Sequence, residues 1–185
     1  MFLNGQLLAF FLAFAALLRY DNKNGGEDME LLIKQRVFSW SDTYDIYDEN
    51  GIARYFVKGE LFSFGHQIHV YEKASGREVG SIHERLLTLL PRFDIVIEGC
   101  MVGTVKREFT LFRPRYHVDF RGWVVEGDFL QWDYIAYQEG REVLSVSKQW
   151  LSWGDTYALR FANPADEIAG LLLVLAIDAA NCRND

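Results

Sequence analysis

The chain has 185 residues, half of them hydrophobic and 15% aromatic, enough for one domain with a substantial core and too apolar for a disordered chain. Its net charge of −7 argues against nucleic acid as a partner. The two cysteines, Cys100 and Cys182, exclude a disulfide framework or a four-cysteine zinc site and suit a reducing, cytoplasmic setting.

Met1 to Leu18 contains a twelve-residue apolar run, Leu7–Leu18, with no basic residue before it and no small-residue cleavage site after it. It makes a poor signal peptide and is short for a spanning helix, which needs about 20 residues. A polar linker follows, and Met29 begins the patterned region. Gly25-Gly26 can be encoded GGAGGA, two codons ahead of the Met29 codon, where a bacterial ribosome-binding site would lie. Translation is therefore expected to start at Met29, with 1–28 an upstream extension and 29–185 the domain. The alternative is that 1–28 is translated and anchors the chain at a membrane.

From Met29 onward two kinds of turn alternate. Aromatic corners recur around Ser39, Ser63, Thr88, Thr110, Gln131 and Ser152, 21 to 25 residues apart. The most alike are Phe38-Ser-Trp-Ser-Asp-Thr-Tyr44 and Leu151-Ser-Trp-Gly-Asp-Thr-Tyr157. Between them lie glycine turns at Asn50-Gly51, Ser75-Gly76, Glu98-Gly99, Arg121-Gly122 and Glu139-Gly140, the residues tight hairpins require. Six corners and five turns make eleven connections and about twelve strands. The intervening segments, such as Phe93–Ile97 and Tyr116–Phe120, alternate or are β-branched and aromatic. A meander this long tends to close on itself, because closure removes its edges.

The last stretch, Asn163 to Asn181, reads as a helix. Asn163 caps it, Pro164 takes its first position, and Asp166 and Glu167 face the positive end of its dipole. Ile168–Ala180 is then apolar on every face except at Asp178. Such a helix must be buried all round. Its apolar part spans roughly 20 Å, against ~30 Å of bilayer hydrocarbon, so protein is the expected surrounding. A barrel of about twelve strands leaves a lumen too wide for side chains alone, and this helix fills it. Asp178 should mark where the plug meets water near the barrel mouth.

Leu86–Asp94, Val105–Tyr116, Val125–Phe129, Trp153–Tyr157 and Leu175–Asp178 resemble the LURP-one-related family, more narrowly its bacterial YxjI-type branch. The resemblance covers essentially everything from Met29 on. It implies a mainly β, tubby C-terminal-like fold: a closed antiparallel barrel of twelve strands around one central hydrophobic C-terminal helix. Related folds bind phosphoinositide headgroups or act at membranes, as phospholipid scramblases do. The resemblance brings no catalytic motif and no cofactor.

No nucleophile elbow, phosphate loop, zincin motif or dinucleotide fingerprint appears, so no catalytic, cofactor-binding or metal-binding residue is expected. His66 and His69, three apart in a strand, point to opposite faces, and His83 and His117 alternate with apolar neighbours. One constellation points to chemistry. Over residues 84–122 seven Lys/Arg face five Asp/Glu, a local +2 in an acidic chain. Arg85, Arg92, Lys106, Arg107, Arg113 and Arg115 flank the third and fourth corners, which a meander places at one end on neighbouring hairpins. Arginine forks suit phosphate, so this rim is the candidate site for an anion or anionic lipid headgroup. The competing reading pairs these cations with Glu84, Asp94 and Glu108 and packs Phe109 and Phe112 into the corners. The function expected is non-enzymatic binding or scaffolding by a monomer; a protein partner met by the barrel wall is the alternative.

Overall fold

The computed structural model describes residues 29–34, 43–62, 65–110, 115–151 and 154–182. Twelve antiparallel strands follow one another: β1 (Met29–Lys34), β2 (Thr43–Asp48), β3 (Ala53–Phe62), β4 (Gly65–Glu72), β5 (Glu78–Glu84), β6 (Arg92–Ile97), β7 (Cys100–Glu108), β8 (Arg115–Phe120), β9 (Trp123–Asp128), β10 (Asp133–Gln138), β11 (Arg141–Leu151) and β12 (Gly154–Phe161). The helix α1 (Glu167–Cys182) ends the described chain. Each of the five glycine turns has its glycine at positive φ, between 68° and 77°. In three of them the preceding residue is left-handed too (Glu98 50°, Arg121 53°, Glu139 51°), the double positive φ of a type I′ hairpin. Of the corners, those at 39 and 63 and the tip of the last fall outside the described residues, as do residues 1–28.

Alternation is strict where it matters. In β6, Phe93 and Ile95 are 0% exposed while Arg92 and Asp94 face outward; in β4, Ile68 and Val70 are buried between more exposed neighbours. The inward residues meet α1, whose Leu171–Val174 are fully buried. The helix lies mainly against β5, β6 and β7. Contact there is close enough to require glycine: a Cβ on Gly80 of β5 would sit 2.4 Å from Leu172 Cδ1 and 2.9 Å from the Val96 carbonyl.

The start of the helix differs from expectation. Asn163 does cap, accepting a hydrogen bond from the Ala165 amide at 2.9 Å, but Pro164–Asp166 form a 3-10 turn and the α-helix begins at Glu167. Nor do the two acids simply face the dipole. Asp166 pairs with Arg121 at 3.3 Å and Glu167 with Arg54 at 3.4 Å, which ties the helix entrance to the glycine-turn end of the wall. Burial pushes the Glu167 carboxyl up, and the Arg54 charge offsets part of that.

The barrel closes differently from a simple meander. Around the sheet the order runs β8-β7-β6-β5-β4-β3-β2-β1-β12-β11-β10-β9. The first and last strands pair along six residues, Met29↔Phe161 to Lys34↔Thr156. The consecutive strands β8 and β9, although joined by the two-residue Arg121-Gly122 turn, form no ladder. Side chains fill the gap instead. Phe120 and Trp123, both buried, meet edge to face at 5.4 Å beside the turn, and Tyr116 meets Phe129 at 5.0 Å at the other end. Arg121, drawn to Asp166, lies over the Trp123 ring at 5.5 Å. The sheet is therefore a cylinder of twelve strands with one seam held by side chains.

At that seam the helix is fastened. Tyr116 Oη donates to Asn181 Oδ1, and Asn181 Nδ2 donates to the Phe129 carbonyl at 3.3 Å, so one side chain spans both strands that border the gap. Asp178, one turn earlier, is partly covered by area but hemmed in by protein, and burial lifts its carboxyl to about 7. It stands close enough to the buried Tyr134 that burial, and then the Asp178 charge, raise that hydroxyl's pKa as well.

Candidate anion site

The registers of β5 to β8 decide which basic side chains meet. Glu84 stands opposite Phe93, and the next pair along is joined by the Arg85 amide, which donates to the Arg92 carbonyl at 2.8 Å. Arg92 stands opposite Lys106, and Lys106 opposite His117. Arg85, Arg92, Lys106 and His117 thus form one cross-strand row on the outer face at the corner end of the barrel. Directly opposed like charges repel. The relief nearby comes from the next row on the same face, His83, Asp94, Thr104 and Asp119, which contains two carboxylates. Of these, Asp94 is taken by Arg85, whose Nε donates to Oδ2 at 2.7 Å. Arg92 reaches the other oxygen of Asp94 only at 4.0 Å, and Arg92 Nε and Asp94 Oδ1 are both buried without a hydrogen bond. Lys106, His117 and Arg115 have no ion pair among the described residues.

Arg92 and Lys106 also line a recess of about 270 Å³ with Thr88, Leu89 and Leu90. It sits between the β5–β6 loop and β7, which are joined by the Arg107 amide donating to the Pro91 carbonyl at 2.9 Å. Thr88 Oγ1 donates to the Arg85 carbonyl at 3.1 Å and fixes the loop's turn. The recess is mostly apolar, with cationic groups on one wall. That combination suits an anion attached to a larger, less polar body.

The six basic residues predicted from sequence therefore separate. Arg85, Arg92 and Lys106 come together. Arg115 lies one strand pair further on the same face, opposite Glu108. Arg107 points the other way, to the side of buried Val105 and inward Tyr116, so it leaves the cluster. Arg113 and Phe112 lie outside the described residues. The competing pairing with acids holds closely for Arg85 and at longer range for Arg92, both with Asp94. Glu84 is buried and bound by His66, whose Nδ1 lies 2.5 Å from Oε2. Phe109 corrects the corner-packing expectation, since it is 81% exposed.

His117 was missed as a member of the row. Its sequence shows only alternation, and its place depends on the β7–β8 register. His69 and His83 belong to a separate outer-wall group, while His66 sits on the opposite face of β4 with Glu84. His69 meets Glu78 at 3.2 Å, while Ser81 and His83 share a hydrogen bond at 2.9 Å. Burial, and then the neighbouring His69, lowers the His83 pKa. No group of three metal-ligating side chains occurs among the described residues.

Twelve antiparallel strands rolled around a buried C-terminal helix define a tubby-like barrel. A protein from Arabidopsis thaliana solved by X-ray crystallography shares the fold, with a TM-score of 0.57 over 82% of this chain and 91% of that one at 16% identity. The LURP-one-related family profile matches residues 29–178. Uncharacterized protein YxjI of Bacillus subtilis (strain 168) is 34% identical over 151 residues, 81% of this chain and 92% of that protein. The chain belongs to the LURP-one-related family.

Proposed function

We propose that this barrel is a non-enzymatic binding module for a phosphate-bearing anion, seated where Arg92, Lys106 and His117 stand side by side. The observation that carries it is the row itself: four neighbouring segments place a basic side chain at one level, and among the described residues Lys106 and His117 have no ion pair while Arg92 reaches Asp94 only at 4.0 Å. Arg92 supports the reading further, because its buried Nε has no acceptor and a guanidinium donor left unmade is costly. A phosphate oxygen would satisfy it, and Lys106 would add charge. A metal is not needed for such binding, nor is a nucleophile.

Isothermal titration with inorganic pyrophosphate tests the site. Arg92→Gln with Lys106→Gln should weaken binding by about 10- to 100-fold, the worth of one or two charge-assisted hydrogen bonds. Equal affinity of wild type and variant would place the anion elsewhere and end this reading.

A further inference from the structure

The corner end that holds the recess also carries large apolar side chains that the barrel does not cover. Leu87 and Leu89 are 105% and 101% exposed, Phe109 is 81% exposed, and Leu86 and Leu130 lie at the same end, also exposed. A single exposed leucine means little, but three protruding from adjacent loops around a cationic recess call for a partner. Leu87 has a φ of 61°, a left-handed conformation unfavourable for leucine. The Thr88 hydroxyl and the link from Arg107 to Pro91 hold the loop in that shape.

The form of the patch selects the partner. Protein interfaces centre on flat, partly covered anchors with a polar rim. Here the side chains stand clear of their neighbours, and the cations lie just behind them along the strands. A bilayer presents the matching layers, with acyl chains beneath a plane of phosphates. The charge of the chain would also orient it. Residues 84–122, the side of the wall built by β6 to β8, carry +2, while the stretches before and after carry −3 and −6, so an anionic surface attracts this side more than the rest of the barrel.

We infer that the corner end docks on an anionic bilayer. Leu87, Leu89 and Phe109 enter the interface while Arg92, Lys106 and His117 meet headgroup phosphates. This rests on the phosphate reading above and names its source. The side chains that insert make no contact with the core, so replacing them leaves the fold intact.

Vesicle flotation with phosphatidylcholine alone and with added phosphatidylglycerol tests it, run beside the pyrophosphate titration. Wild type should float with the anionic vesicles. Leu87→Ser and Phe109→Ser combined should lower partitioning by at least about 30-fold, from lost apolar burial, while pyrophosphate affinity stays unchanged, since neither side chain lines the recess. If the double variant floats as wild type does, insertion is wrong. If wild type binds pyrophosphate but floats with neither vesicle, bilayer docking falls and the anion site stands. If it does neither, both readings fall. Sedimentation showing that the substitutions instead dissolve a dimer would make this face a contact between copies and overturn the proposal as well.

Discussion

Asp178→Asn should stabilise this protein, and increasingly so as the pH rises. The carboxyl lies on the otherwise apolar helix, one turn before the Asn181 fastening, and burial lifts it from 3.8 to about 7. Its position in the last turns of the helix also sets its charge against the dipole. The sign follows from which state holds the proton. The folded chain keeps Asp178 protonated up to about pH 7, whereas the unfolded chain releases that proton near pH 4. Stability therefore falls across the window from about pH 4 to 7 and is level above it. A shift of about three units corresponds to a ceiling of about 4 kcal/mol at ~1.36 kcal/mol per unit; partial exposure to water reduces this to about 2 kcal/mol. Asparagine keeps the shape and cannot ionise. Its advantage should be near zero at about pH 4 and about 2 kcal/mol at about pH 8, a rise in Tm of about 4–8 °C for a chain of this size. Thermal melts of both proteins, followed by circular dichroism across that range, measure it. A difference in Tm that does not change with pH would refute the reasoning, whatever its sign.

Three further outcomes are expected. Asn181→Ala removes the side chain shared by Tyr116 and the Phe129 carbonyl and should cost about 1–3 kcal/mol in urea unfolding, with early loss of protection in β8 and β9 by hydrogen exchange. Gly80→Ala drives a methyl into Leu172 and the Val96 carbonyl; a loss of about 1–3 kcal/mol is expected, and wild-type stability would show that the helix can shift. Asp94→Asn releases Arg85 from its 2.7 Å partner and should tighten pyrophosphate binding by about 3-fold or more at low salt, measured by titration; weaker binding would mean that Asp94 orients the row rather than competing with the ligand.

Much of the architecture was legible because hairpin chemistry is local. Asn50-Gly51 and Glu139-Gly140 announce positive φ in two letters, and counting such turns against the corners yields the twelve strands. The plug was legible from its uniform hydrophobicity, and Asp178 as the one break in it. The seam was not. Arg121-Gly122 has the same left-handed pair as Glu98-Gly99 and Glu139-Gly140, both of which lead into ladders. What prevents a ladder after Arg121 is the pair of buried rings, Phe120 and Trp123, together with the pull of Asp166 from a distant part of the chain. The basic rim was legible as a composition and not as a row. A register slip of one residue would exchange Lys106 for Arg107 on the outer face, and the Glu98-Gly99 turn alone does not decide it, because the ladder shifts register between Ile95 and Val96. For the same reason His117 looked like any strand histidine.

The seam bears on how such a barrel can be made at all. Its plug is synthesised after all twelve strands, and a wall stitched by hydrogen bonds all the way round would have to admit that helix end-on. Here the wall is one twelve-stranded sheet with two leaves, β1–β8 and β9–β12, hinged at the β1–β12 ladder, and its two edges β8 and β9 meet through a turn and a few rings without a ladder. Two such leaves can fold over a helix from the side, as the covers of a book close on a pencil, with no threading step. Asn181, reaching from the helix to both leaves, is then the clasp that registers their closure.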